Sequence, residues 1–308
     1  MHITKRFFIC LLAVLLFLAV AFTAIAFRDR QLQEKRDVND SAETAGQPAS
    51  DETEQENRPG PVKLPVLMYH SVCVNKKVQG SPYVLSPQRF REDLAALKAA
   101  GYTSVSIREL LAFTDTGAPL PPKPVLLTLD DGFYNAVSEV LPALEAADMC
   151  AEVNVVGKFT DDAPAGDKNP AWAYLSWEDI KALPSDGRLE VGCHTWDLHR
   201  TGARVGAGRI PGESGDVYAA MLSADLDRFG EALQANGIPQ PTVFAYPFGA
   251  VGDGSRELLE ARGYRVLLTT EEKINLLSPG EKTLVLGRFN RDSRLSTAEM
   301  MEKIGDVL

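Results

Sequence analysis

The stretch Leu127-Thr-Leu-Asp-Asp-Gly-Phe133, LTLDDGF, closes an apolar run with two adjacent carboxylates, those of Asp130 and Asp131. Each negative charge raises the pKa of its neighbour, so such a pair is best tolerated where a cation neutralises one member or where the two divide acid and base duties. A helix N-cap would need only one of them. The stretch therefore predicts a strand that ends at a functional site.

Short apolar runs alternate with segments of helical pattern over residues 62–308. The runs that predict strands are Leu64–Tyr69, Pro124–Leu129, Ala151–Val156, Leu189–Cys193, Val243–Tyr246, Arg265–Thr269 and Leu284–Phe289. Capping-box patterns at Ser106 and Ser176 mark helix starts between them. Repeated strand–helix units predict an α/β fold with a parallel sheet, and a domain of about 250 residues suits a (β/α) barrel. An open doubly wound sheet is the alternative; in both folds the site lies where Asp130 and Asp131 fall, at the C-terminal ends of the strands.

A second polar cluster, HTWDLH, runs from His194 to His199 just after the predicted strand Leu189–Cys193. The chain has only four histidines, and two of them lie in this cluster. Their spacing puts the side chains on different faces of a helix or strand, so both reach one ion only from a turn. Two imidazoles with one carboxylate suit Zn²⁺ with an open coordination position, and also suit Fe²⁺, Co²⁺ or Ni²⁺. The two strand-end clusters together predict a divalent metal site, with Zn²⁺ as the expected ion.

These clusters resemble motifs of the polysaccharide deacetylase family, which carries the NodB homology domain. TLDDG at 128–132 resembles the first motif, HTWDLH at 194–199 the second, and AYPFG at 245–249 the third. LPVLMYHSV at 64–72 is similar to an extracytoplasmic branch of the family. The resemblance implies a distorted (β/α) barrel and a hydrolase that removes acetyl groups from glycans with a divalent metal.

The resemblance also implies roles for single residues. Asp131, His194 and His199 match the metal ligands. Asp130 matches the catalytic base, which takes a proton from a water whose pKa the metal lowers. Thr195 matches a hydroxyl that supports the second motif by hydrogen bonding.

The third motif is expected to contribute to transition-state and substrate binding. By resemblance, Pro247 fixes a loop whose backbone N–H near Phe248 stabilises the oxyanion. Tyr246, Trp196 and Tyr134 are candidate platforms for sugar rings, with ordinary packing as the alternative.

Two departures from the family pattern affect the mechanism. Many members carry an arginine in the third motif that orients the base, where this chain has Ala245, and a late histidine that protonates the leaving group, whereas no histidine follows His199. The remaining histidine of the domain, His70, follows an apolar run at a predicted strand end. His70 is therefore the candidate general acid or substrate-binding group, with a satisfied, partly buried histidine as the alternative.

The N-terminal part of the chain has a different character. Residues 7–27 are apolar or small and carry no charge, which predicts a cytoplasmic tip and a single transmembrane helix within residues 1–30. The small-residue pattern Ala24-Ile-Ala26 leaves a cleaved signal sequence open. The acidic, apolar-poor segment 31–61 predicts a disordered linker. This signal-like layout, together with the function that the resemblance implies, predicts that the domain of residues 62–308 lies outside the cytoplasm, anchored to the membrane or secreted.

Charge and cysteine content exclude other classes of protein. The formal net charge of −10 argues against a nucleic-acid partner. Four cysteines without a CxxC spacing indicate neither a disulfide framework nor a thiolate zinc site.

The expected function is a metal-dependent deacetylase of N-acetyl groups on an N-acetylglucosamine-containing cell-wall or exopolysaccharide glycan, a hydrolase of carbon–nitrogen bonds other than peptide bonds. One alternative is a catalytically impaired glycan-binding relative, suggested by Ala245 and the missing late histidine. Another is a metal-dependent hydrolase of a different amide, since a fold does not specify its substrate.

Overall fold

A curled parallel sheet of nine strands carries the fold. The computed structural model describes residues 60–75, 77 and 80–305. Its strands are β1 (Val62–Leu64), β2 (Val66–Tyr69), β3 (Ser71–Val72), β4 (Val84–Leu85), β5 (Thr103–Ser104), β6 (Pro124–Leu129), β7 (Ala151–Val155), β8 (Leu189–Cys193), β9 (Val243–Ala245), β10 (Val266–Leu268), β11 (Asn275–Leu277), β12 (Leu284–Leu286) and β13 (Phe289–Asn290). The order across the sheet is β12-β10-β9-β8-β7-β6-β2-β13, with β5 beside β6. β1 pairs with β11 antiparallel, and β3 pairs with β4.

The sheet is an incomplete barrel. Strands β12 and β13 stand at its opposite edges, yet only Gly287 and Arg288 separate them in the chain. The sheet must therefore curl until these edges approach each other. The predicted parallel sheet is confirmed, in the form of a curled half-barrel rather than a closed one.

Helices pack around the sheet. They are α1 (Pro87–Ala99), α2 (Ile107–Thr116), α3 (Leu141–Ala147, preceded by a π-helical turn), α4 (Gly157–Asp161), α5 (Trp177–Lys181), α6 (Gly215–Ala235), α7 (Ser255–Glu260) and α8 (Thr297–Gly305). The capping boxes predicted at Ser106 and Ser176 are confirmed. Each serine side chain accepts a hydrogen bond from the N–H of the third residue of its helix, and the carboxylate of that residue accepts one from the serine N–H.

Alternate residues of each strand face opposite sides of the sheet. Leu127 and Leu129 pack in the large core that includes α1, α3 and α6, whereas Leu126 packs on the other face. Thr128 and Asp130 are in phase with Leu126, so this apolar inner face becomes polar toward the C-terminal end of β6. Asp130 therefore lies on the inside of the half-barrel.

The predicted transmembrane helix of residues 1–30 and nearly all of the predicted linker of residues 31–61 lie outside the described residues. Among the residues that are described, no helix has both the length and the apolar character needed to cross a bilayer.

Candidate metal and catalytic site

The turn after β6 places two consecutive carboxylates in one cavity. Asp131 adopts a left-handed backbone conformation with φ 75°, which is uncommon for a residue other than glycine. Gly132 follows with φ 72°, and a Cβ there would lie 3.1 Å from the Cβ of Val155. In a continuing strand, successive side chains would point to opposite faces of the sheet. The turn ends this pattern, so Asp130 and Asp131 both line the cavity.

The turn after β8 brings the two histidines of the second motif together. Thr195 has φ 71°, and its hydroxyl accepts a hydrogen bond from the N–H of Leu198 at 3.1 Å. Asp225 on α6 accepts hydrogen bonds from the N–H groups of Trp196 and Asp197, at 2.7 and 2.8 Å. The rings of the two histidines consequently lie 5.0 Å apart between centroids.

Asp131, His194 and His199 form a cluster suited to a metal ion. Asp131 Oδ1 lies 3.1 Å from His199 Nε2 and 3.7 Å from His194 Nε2, and the three ligand atoms lie within 4.8 Å of one another. His194 Nδ1 lies 2.8 Å from the carbonyl oxygen of Ala245, to which it donates as the Nδ1–H tautomer, leaving the Nε2 lone pair free. Asp131 Oδ1 is buried and receives no well-directed hydrogen bond within the described part of the chain. A buried carboxylate oxygen facing two imidazole nitrogens fits a divalent cation.

Burial and neighbouring charges shift the pKa values of the three candidate ligands. Burial lowers the pKa of His194 and so favours the neutral imidazole. Burial would raise the pKa of Asp131, but the surrounding histidines outweigh it and hold the pKa below its ordinary value. Burial would likewise lower the pKa of His199, but the neighbouring Asp131 carboxylate raises it above its ordinary value. Metal ligands must be deprotonated, so an ion at this cluster would compete with a proton at His199.

Asp130 is held by a buried arginine that the sequence analysis did not identify. Arg288 donates from Nη1 to Asp130 Oδ1 at 2.8 Å and from Nη2 to Oδ2 at 2.7 Å. Its other donors reach the Thr128 hydroxyl and the Thr269 carbonyl oxygen. Asn154 Nδ2 adds a third hydrogen bond, to Oδ1 at 3.0 Å. Burial would raise the pKa of Asp130, but the Arg288 guanidinium holds it well below its ordinary value.

The position of Arg288 explains the missing arginine of the third motif. Ala245 is fully buried, and its carbonyl oxygen receives the His194 hydrogen bond. The guanidinium instead enters from the two-residue link between β12 and β13. A single charged residue inside the apolar run LVLGRF was the only sequence signal for it.

His70 lies in the same cavity, which has a volume of about 520 Å³ and is also lined by Asp130, Asp131, His194 and His199. Burial lowers the pKa of His70, although the carboxylates of Asp131 and Asp130 partly oppose this. The structure thus brings every residue predicted to bind metal or transfer protons to one cavity.

Two of the predicted sugar platforms do not line the cavity. Tyr246 is only 2% exposed, and its hydroxyl lies 2.9 Å from that of Ser255, so its ring is part of the core. Trp196 packs against the start of α4 at Gly157, and the Arg228 guanidinium lies 5.1 Å from its ring centroid, so the ring is held against helices rather than lining the cavity. The aromatic spacing around the motifs did not show which rings lie outside the core.

Other aromatic rings line the cavity. Phe248 is 47% exposed, has φ 58°, and its ring centroid lies 4.6 Å from that of His199. Tyr83, which the sequence analysis missed, is 52% exposed and its ring centroid lies 4.8 Å from that of His70. The two rings thus lie beside different histidines of the cavity.

Comparison with known proteins identifies the family. Residues 117–267, which contain both turns of the candidate metal site, match the family model described as polysaccharide deacetylase. Over these residues the chain belongs to the polysaccharide deacetylase family. The poly-beta-1,6-N-acetyl-D-glucosamine N-deacetylase of Escherichia coli (strain K12) is 28% identical over 202 residues, which cover 59% of this chain. The match spans 30% of the length of that relative.

Solved structures show the same fold. IcaB from Ammonifex degensii superposes with a TM-score of 0.61 at 26% identity, covering 76% of this chain and 92% of that one. A de-N-acetylase from Aggregatibacter actinomycetemcomitans superposes with a TM-score of 0.65 at 22% identity, covering 79% of this chain and 100% of that one. The fold implied by the three motifs is thereby confirmed.

Proposed function

We propose that the protein is a metal-dependent deacetylase that hydrolyses N-acetyl groups of an extracytoplasmic polysaccharide containing N-acetylglucosamine. The observation that carries this proposal is the meeting, in one cavity, of the Asp131–His194–His199 cluster with the arginine-held carboxylate of Asp130. The name of the E. coli relative, a poly-beta-1,6-N-acetyl-D-glucosamine N-deacetylase, supports the choice of glycan.

Asp131, His194 and His199 would hold the ion, and their donor set suits Zn²⁺, with Co²⁺, Ni²⁺ or Fe²⁺ as alternatives. When bound, the ion supplies a Lewis acid that polarises the acetyl carbonyl and lowers the pKa of a water.

The Oδ2 atom of Asp130 is the proton acceptor. Oδ1 already accepts from Arg288 and Asn154, whereas Oδ2 accepts from Arg288 alone and lies 4.0 Å from His194 Nε2. A lone pair of Oδ2 therefore remains for the attacking water. Arg288 keeps this carboxylate ionised and fixes its plane, so the acceptor needs no rearrangement as the proton arrives.

His70 protonates the leaving nitrogen. As water adds to the acetyl carbon, Asp130 takes one of its protons, and the carbon–nitrogen bond breaks as the nitrogen receives a proton from His70. The products are acetate and a free amine. Burial lowers the pKa of His70, which makes its imidazolium, once formed, a readier donor, and the carboxylates of Asp131 and Asp130 partly oppose this shift.

The loop of the third motif would stabilise the oxyanion through a backbone N–H near Phe248. The exposed ring of Phe248, beside His199, offers a surface for a sugar ring.

The proposed location is outside the cytoplasm. The uncharged apolar segment of residues 7–27 supports attachment to the membrane, and the pattern at residues 24–26 supports secretion if that segment is cleaved.

Acetate release from N-acetylglucosamine oligomers tests the proposal. The full-length protein in detergent would be assayed after chelation and after metal restoration, beside Asp130→Asn and, as a control, Asp227→Asn, which changes an exposed carboxylate of α6. We expect metal-dependent release in the wild type and the control, and its loss in Asp130→Asn. Tight metal binding without release would instead favour another amide substrate or a binding-only relative.

A further inference from the structure

A pair of polar side chains lies beside Asp130 inside the half-barrel. Glu152 and Asn154 are two residues apart on β7, so they share its inner face, and they are 1% and 0% exposed. Asn154 Nδ2 donates to Asp130 Oδ1. Asn154 Oδ1 and both carboxyl oxygens of Glu152 have no hydrogen-bond partner among the described residues. Buried polar atoms are seldom left unsatisfied, so these three oxygens require an explanation.

The missing side chain of Gly192 leaves a space that two of these oxygens share. Gly192 lies opposite Asn154 in the register of β7 and β8. A Cβ at Gly192 would lie 2.2 Å from Asn154 Oδ1 and 2.4 Å from Glu152 Oε1, so these two oxygens cannot be farther apart than the sum of those distances. Both oxygens are acceptors, so a hydrogen shared between them, directly or through one water, would satisfy both.

Glu152 can supply that hydrogen. Burial raises the pKa of Glu152 well above its ordinary value, and the carboxylates of Glu190 and Asp130 raise it further. No lysine or arginine forms an ion pair or hydrogen bond with Glu152 in the described part of the chain. An unpaired buried carboxylate takes up a proton rather than remain ionised.

We propose that Glu152 is a protonated positioning residue that donates its carboxyl hydrogen to Asn154 Oδ1, directly or through one water, and thereby orients the amide that holds Asp130. The inference rests on the proposed function, because Asp130 matters as the base of that reaction.

The role follows from the symmetry of the amide. The two ends of the Asn154 side chain have nearly the same shape, so packing alone does not choose between them. With a donor at Glu152, Oδ1 faces the donor and Nδ2 faces Asp130. Without one, the amide can turn and present an acceptor to Asp130 Oδ1, which weakens the alignment of the base.

Paired substitutions test the proposal in the full-length, metal-loaded protein. Glu152→Gln restores a donor at the same place, whereas Glu152→Met keeps the volume without one. We expect Glu152→Gln to retain most of the kcat for acetate release, and Glu152→Met to lose about tenfold or more, with KM changed less than about twofold. Glu231→Met is the control, because the Glu231 carboxylate is exposed on α6 and pairs with Arg228.

A double-mutant cycle separates positioning from general stability. Because Glu152 acts through Asn154, adding Glu152→Met to Asn154→Leu should cause little further loss of kcat. Additive losses, equal losses in the Gln and Met variants, or full kcat in Glu152→Met would overturn the proposal.

Infrared difference spectroscopy tests the proton without any turnover. The wild type minus Glu152→Gln spectrum at neutral pH should show the carbonyl band of a protonated carboxyl group. Its absence would overturn the proposal even if Glu152→Met fails to fold. If the wild type releases no acetate while the band is present, the proposed function fails and the protonated Glu152 stands.

Discussion

Arg288 binds both carboxylate oxygens of Asp130 through a forked pair of hydrogen bonds of 2.8 and 2.7 Å, and neither side chain is more than 4% exposed. Forked arginine–carboxylate pairs fix the plane of the carboxylate as well as its charge. This chain therefore orients its proposed base from the β12–β13 link rather than from the third motif.

Removal of Arg288 should abolish turnover. In Arg288→Met, Asp130 is left buried without its counter-ion, so its pKa rises and the base is partly protonated. We expect a destabilisation of about 3–5 kcal/mol and a loss of kcat of at least about a hundredfold, measured by urea unfolding and acetate release.

Arg291→Met is the matched control for that change. Arg291 binds Asp93 in the same forked manner, with both side chains fully buried, but neither residue lines the cavity. It should lose similar stability while the folded fraction keeps its kcat. Equal losses of kcat in the two variants would show that Arg288 acts through stability alone.

The sequence predicted strands well where apolar runs have clear ends. The bounds of β6 and β8 are those expected, Pro124–Leu129 and Leu189–Cys193, because each run is bordered by polar or turn residues. The run Leu284–Phe289 predicted one strand, whereas the structure has β12 and β13. Gly287 separates them at a point where a Cβ would lie 2.2 Å from the Glu271 carbonyl oxygen.

The contacts of the site were only partly predictable. The metal cluster follows from strand-end motifs, since the C-terminal ends of parallel strands meet at one edge of the sheet. The Arg288–Asp130 pair joins residues 158 positions apart, and it exists because the sheet curls enough to bring β13 beside β2. Local pattern carries no information about that curvature.

His70→Gln should retain the metal and lose turnover. Glutamine preserves much of the size and polarity of His70 but cannot transfer a proton at neutral pH, so kcat should fall by about 10²–10⁴-fold. Metal affinity measured by isothermal titration should stay the same, because His70 is not part of the Asp131–His194–His199 cluster. Near-full turnover with metal bound would remove His70 as the general acid.

Asp225→Ala should weaken metal binding without touching a ligand. Its carboxylate accepts the N–H groups of Trp196 and Asp197, which lie between the two histidines. Loss of a supporting hydrogen bond of this kind typically costs about 10–100-fold in metal affinity. Asp227→Ala, on the same helix, removes an exposed carboxylate that pairs with Arg262 and should leave the affinity unchanged. Equal affinities in the two variants would contradict a role of Asp225 in shaping the turn.

Phe248→Ala should separate the proposed contact of the ring with a sugar from the proposed stabilisation of the oxyanion by a backbone N–H near this residue. The substitution removes the ring but keeps the backbone N–H, so KM for oligomers should rise several-fold, to about tenfold, while kcat changes little. Val251→Ala, which shortens an exposed side chain that does not line the cavity, is the control. A large fall in kcat with unchanged KM would instead show that the ring matters for the transition state.

Protonation of Glu152 should also appear in the pH dependence of stability. Because the folded pKa of Glu152 is raised, its contribution to stability is fully present below the unfolded pKa of about 4.3 and is lost as pH rises toward the folded pKa. Glu152→Gln has no such proton. The free energy of unfolding of Glu152→Gln minus that of the wild type should therefore increase by about 1.4 kcal/mol per pH unit above about pH 4.3. Urea unfolding of both proteins after the same chelator treatment measures this difference. The pH should run from about 5 to about 8, roughly the range where a raised pKa would act. A difference that does not change with pH over this range would mean that Glu152 is ionised in the folded protein.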